Sequence, residues 1–78
     1  MRFLSKEQFK DYINQLNNDL ALINQITYDP IFGGDKYELG YRGKHHRMVL
    51  MRNGETIAIS IKEITNTVIK LLRRYRNA

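Results

Sequence analysis

Apolar residues in the first third of the chain recur at three- and four-residue steps: Phe9, Tyr12, Ile13, Leu16, Leu20, Ile23 and Ile26. That spacing places them on one stripe of an α-helix, with Asn, Gln, Lys and Asp opposite, and the stripe reads as core rather than site. Ser5 and Gln8 stand at the positions of a capping box, and Leu4 and Phe9 at those of a hydrophobic staple. The segment "TYDPIFGGD" ends the helix, because Pro30 cannot continue it and Gly33-Gly34 supply a turn.

The period then changes to two. "YELGY" (37–41), "RMVLM" (47–51) and "ETIAISI" (55–61) read as three strands, the last two joined by Asn53-Gly54. Asn-Gly suits a two-residue type I′ turn, since both residues tolerate positive φ. Such a turn sets Arg52 opposite Glu55, Leu50 opposite Ile57, Met48 opposite Ile59 and His46 opposite Ile61. Ser60 and Glu63 then form a second capping box, with Ile59 and Ile64 as its staple. Ile64, Val68, Leu71, Leu72 and Tyr75 line the inner side of a closing helix, and Lys70, Arg73, Arg74 and Arg76 crowd its last turns. The expected fold is α+β: helix, three-stranded antiparallel sheet, helix (α-β-β-β-α), with both helices on one face of the sheet.

Seventy-eight residues make one small domain, residues 1–78, with a modest core. With 42% hydrophobic and 27% charged residues it should fold rather than stay disordered. No cysteine is present, so disulfide and thiolate chemistry are excluded. "MRFLSKEQFKDY" lacks the apolar core of a signal peptide, and no run approaches a membrane span. A cytoplasmic protein without membrane partners is expected, and no cofactor motif is visible.

Charge divides the chain in two. Residues 1–36 hold four Lys/Arg against five Asp/Glu, whereas residues 37–78 hold nine against three. The net charge of +5 therefore sits in the second half, which points to a polyanion, most often nucleic acid. Arg42, Lys44, Arg47, Lys62, Lys70, Arg73, Arg74 and Arg76 are the candidate phosphate contacts. The bland alternative is that a small basic domain gains only solubility from this charge. Of the five tyrosines, Tyr12 and Tyr75 lie on core stripes, leaving Tyr28, Tyr37 and Tyr41 for base stacking.

The stretch "GYRGKHHRMVL" (40–50) carries the candidate chemistry. Adjacent strand residues point to opposite sides, so His45 and His46 cannot chelate one metal from a regular strand, and no metal site is expected. In the register above His46 falls on the helix-packed face as a structural residue. His45 falls on the outer face with Arg47, Val49, Met51 and Ala58, close to Arg42 and Lys44. A neutral imidazole held beside cations could act as general base on a ribose 2′-hydroxyl. The competing reading is that His45 only adds a hydrogen bond to phosphate.

"GKHHRMVLMRNGETIAISI…EITNTVIKLLRR", residues 43 to about 75, resembles the HicA family of mRNA interferase toxins. That family leads from Gly-Ser-His into an apolar strand, a hairpin, a β-branched strand and a final helix. The resemblance implies the double-stranded RNA-binding-domain layout, RNA as substrate, His45 as the catalytic histidine, and an antitoxin as partner. Lys44 stands where the family has serine, and "SIKEI" replaces the Pro-His-type segment after the third strand. The Lys-Lys-x-Ala-Lys motif of double-stranded RNA-binding domains is reduced to Lys62.

Two functions follow. One is a small RNA-binding protein, RNA being favoured over DNA, that in its catalytic form is a HicA-like ribonuclease toxin. The other is a non-enzymatic, phage-type regulator that binds a host protein, or dimerises, through an open sheet face bearing Val49, Met51 and Ala58.

Overall fold

A computed structural model describes residues 5–42 and 47–76. Helix α1 (Lys6–Thr27) starts as its sequence dictates. The Gln8 N–H donates to Ser5 Oγ at 3.1 Å, and the Ser5 N–H donates to Gln8 Oε1 at 3.0 Å, satisfying donors that a helix start leaves free. Leu4, the outer half of the expected staple, lies outside the described residues. Leu16, Leu20 and Ile23 are buried, and Tyr12 and Ile13 pack partly against them. The apolar stripe is shorter than its sequence suggests: Phe9 is more than a third exposed and Ile26 is 61% exposed. Ile26 lies past Asn24, which already meets Tyr37 at the start of β3, and Phe9 borders an open depression with Tyr41 and Met48.

The segment after α1 is more ordered than a plain turn. Strands β1 (Tyr28–Asp29) and β2 (Gly33–Gly34) pair antiparallel, a ladder the periodicity did not announce because each strand has only two residues. Asp29 Oδ1 accepts from the N–H groups of Ile31 (2.7 Å) and Phe32 (3.0 Å), the local pattern that lets Asp build a turn. Gly34 has φ +117°, and a Cβ there would collide with the Thr27 carbonyl oxygen. The base is tied by Thr27 Oγ1 donating to Asp35 O (2.6 Å) and Asp35 N–H donating to Thr27 O (3.0 Å).

Strands β3 (Tyr37–Arg42), β4 (Arg47–Arg52) and β5 (Glu55–Ala58) form an antiparallel sheet in the order β3-β4-β5. Asn53 (φ 53°) and Gly54 (φ 83°) make the turn that their sequence specifies. Arg52 faces Glu55 as expected, and Met51 faces Thr56. Beyond that pair the expected register fails. A β-bulge intervenes, and Leu50 pairs with Ala58 instead of Ile57. Ile57 is the extra residue, so the alternation of β5 inverts. Ala58 lies in the helix-side core at 2% exposure, while Ile57 and Ile59 are exposed.

The third strand also ends earlier than its alternation suggests. Ile61 opens helix α2 (Ile61–Arg76) instead of continuing β5, so the expected pairing of His46 with Ile61 has no strand to form on. His46 itself lies outside the described residues. The start of α2 is a variant capping box. The Glu63 N–H donates to Ser60 Oγ at 3.1 Å, but Glu63 Oε2 accepts from the N–H of Ile59, one residue before the cap, at 3.0 Å.

One face of the sheet carries Tyr37, Met48, Leu50 and Ala58, and both helices cover it with Leu16, Leu20, Ile23, Ile64, Val68 and Leu71. The helices run in the same direction. Near their starts the Tyr12 hydroxyl hydrogen-bonds Thr65 Oγ1 and donates to Ile61 O (3.4 Å). Near their ends Ile23 and Ile26 share a groove with Leu72 and Tyr75. The α+β class and the helix–sheet–helix order thus agree with the hydrophobic pattern. Among the described residues, no helix is long and apolar enough to cross a membrane.

Candidate nucleic-acid interface

Helix α2 buries Ile64, Val68 and Leu71, and this fixes what faces solvent. Lys62, Asn66, Lys70 and Arg73 follow at three- and four-residue steps on the opposite side, with Arg74 beside them, and all five are exposed. At 1.5 Å per residue, Lys62 to Arg74 spans about 18 Å of helix surface. The one acid of α2, Glu63, already accepts a backbone hydrogen bond from Ile59.

Arg47, exposed at the start of β4, shares a depression with Ser60, Ile61 and Glu63 and so lies at the end of α2 that carries Lys62. Its cross-strand partner is Arg42. The Arg42 and Arg76 positions belong to β3 and α2, but their side chains, like all of Lys44 and His45, lie outside the described residues. Arg47, Lys62, Lys70, Arg73 and Arg74 are thus the expected contacts whose exposure is established.

The expected interaction face does not survive the bulge. Ala58 points into the helix-side core, because the extra residue Ile57 reverses the faces of β5. Val49 does lie on the outer face, yet it is only 2% exposed. Met51 lies half-buried on that face with its methyl folded over Gly40, where a Cβ would come within 2.5 Å of Met51 Cε. Thr56 shares the face, and its Oγ1 is buried with no hydrogen-bond partner among the described residues. Val49, Met51 and Ala58 therefore do not form one open apolar surface.

The tyrosines separate in the same way. Tyr37 is buried in the core and unavailable for stacking, whereas Tyr41 is mostly exposed at the far end of β3. Tyr28 is half-buried with the Lys36 ammonium 5.7 Å from its ring centre, within cation–π range. The sequence reading passed over Ile31 and Phe32, which are 85% and 89% exposed. The available signal was two large apolar residues inside a Pro/Gly turn, where neither a helical nor a strand period gives them a core to join.

Fold and surface together define a small α+β domain with a basic helical face. Compared with known proteins, the chain matches no family model, and no curated protein or solved structure matches it.

Proposed function

We propose that this chain binds RNA through the solvent face of α2, with Lys62, Lys70, Arg73 and Arg74 contacting phosphates and Arg47 extending the strip at its N-terminal end. The observation that carries this reading is the run of exposed cations on a helix whose sole acid is engaged in its own cap. Cations so arranged gain affinity by releasing the counterions condensed on a polyanion. RNA is favoured over DNA by the layout of two helices on one face of a three-stranded sheet, which resembles that of double-stranded RNA-binding domains.

In the catalytic form of this reading the chain is a HicA-like ribonuclease, and His45 takes the proton from a ribose 2′-hydroxyl. Titration of labelled RNA duplex and single strand at low salt tests binding, and no mobility shift with either would overturn the proposal. The catalytic form is tested apart from binding. His45→Ala should abolish cleavage while leaving RNA affinity nearly unchanged, and undiminished cleavage would remove His45 from the role.

A further inference from the structure

Two apolar features lie at the same end of the molecule. One is the tip of the β1–β2 ladder, where Ile31 and Phe32 stand almost wholly in solvent. The tip is not loose chain: the Asp29 carboxylate fixes the N–H groups of both residues, and the Thr27–Asp35 pair closes the base. Such a preorganised projection loses little freedom when it is buried. The other feature is a groove of about 230 Å³ between the C-terminal ends of α1 and α2, lined by Leu22, Ile23, Gln25, Ile26, Leu72 and Tyr75. Leu22 is 49% exposed and Ile26 more so, so the groove walls remain uncovered.

The charges at the two features are opposite. The Arg74 guanidinium lies 5.7 Å from the ring centre of Tyr75, a groove-lining residue, which puts a cation at the rim. Asp29 stands beside the tip, and Asp35 lies at the base of the ladder, next to Lys36. Ile26 sits in the last turn of α1 and the ladder begins at Tyr28, so knob and groove are neighbours in the chain. One copy thus carries both a knob and a groove, which is what a self-complementary, isologous contact requires.

We propose that this chain forms a two-fold dimer in which the Ile31–Phe32 tip of each copy fills the α1–α2 groove of the other, with Asp29 and Asp35 facing Arg74. A second copy suits the groove because it brings a rigid apolar knob and its acidic flank together. The dimer is independent of the RNA-binding reading, although Arg74 takes part in both.

Sedimentation equilibrium of the full chain, from micromolar to millimolar concentration, tests the proposal. The wild type should show a monomer–dimer equilibrium. Burying one Phe side chain contributes about ten- to a hundredfold in affinity, and the two-fold axis removes it twice in Phe32→Ser. The dissociation constant should therefore rise at least a hundredfold. Ile26→Asp, a change at an exposed groove wall, should act similarly. Circular dichroism of both variants should match the wild type. Mixing the two variants restores one of the two knob–groove contacts, so a heterodimer should form that neither variant makes alone. Arg74→Asp should weaken the dimer, and adding Asp35→Arg should recover it in part. A wild type that stays monomeric at millimolar concentration would overturn the proposal. So would a Phe32→Ser or Ile26→Asp variant that dimerises as well as the wild type, or a mixture that yields no heterodimer.

Discussion

The side-chain amide of Asn24 grips the backbone of Tyr37 at two points. Asn24 Nδ2 donates to Tyr37 O at 2.8 Å, and the Tyr37 N–H donates to Asn24 Oδ1 at 2.8 Å. Tyr37 begins β3, an edge strand, and these two groups point away from β4. One side chain of α1 thus stands where the next strand would be, joining helix to sheet by hydrogen bonds as well as by packing. Removing both bonds leaves part-buried backbone groups unpaired, so Asn24→Ala should cost about 2 kcal/mol. For a domain of this size that is a drop of roughly 8–16 °C in Tm. Urea denaturation checks it, and a loss below about 0.5 kcal/mol, the low end for a single hydrogen bond, would deny the clamp.

Thr56 offers the opposite test. Its Oγ1, buried and without a partner among the described residues, should cost about 1–3 kcal/mol relative to a satisfied or apolar group. Thr56→Val keeps the shape and the β-branching while removing the orphan. It should raise stability by about 1 kcal/mol, or Tm by roughly 4–8 °C. Thermal unfolding of the two proteins reads this directly, and an unchanged or lower Tm would show that the hydroxyl is satisfied in solution.

The bulge makes neighbouring residues of β5 respond in reverse of their hydropathy. Ala58 faces Leu50 in a filled core, so Ala58→Ile forces extra methylenes into it and should cost about 1–3 kcal/mol. Ile57→Thr, at the exposed extra residue, should cost less than about 1 kcal/mol. A strand without a bulge gives the reverse order, so chemical denaturation of this pair reports the register.

RNA binding through α2 has its own signature. With four exposed cations on the helix, the logarithm of affinity should fall against the logarithm of salt with a slope near −3 to −4 for a duplex. Lys70→Ala should reduce that slope by about one and weaken all sequences alike. Fluorescence anisotropy at several salt concentrations measures both. A slope near zero, or a loss confined to one sequence, would contradict phosphate contact by this face.

The legible parts of the fold were those governed by local rules. Ser5 with Gln8, Ser60 with Glu63, and Asn53-Gly54 mark their caps and turn through hydrogen bonds between near neighbours, and the structure makes them where the sequence places them, apart from the one-residue shift at Ile59. The illegible part was the path of β5. "ETIAISI" alternates so regularly that Ile57 and Ile59 read as core, and nothing local signals that one residue will be set aside. In the folded chain Ala58 joins Leu50, Ile64 and Val68 in one buried cluster, a tertiary outcome that no local pattern encodes. The basic face of α2 was legible from the same period that defines its core. The Ile31–Phe32 tip was not, because its order comes from the Asp29 carboxylate and the Thr27–Asp35 tie rather than from any period.

Seen from the rim of the sheet, the bulge has a protective consequence. A three-stranded sheet has two open borders, each a row of backbone donors and acceptors on which a foreign strand can template itself. On the β5 border only four residues are extended, and the displaced Ile57 breaks their regular spacing. On the β3 border Asn24 already occupies the first rung. Templating of a foreign strand is thereby hindered along β5 and at the first rung of β3, beside a stretch rich in β-branched residues at 55–61.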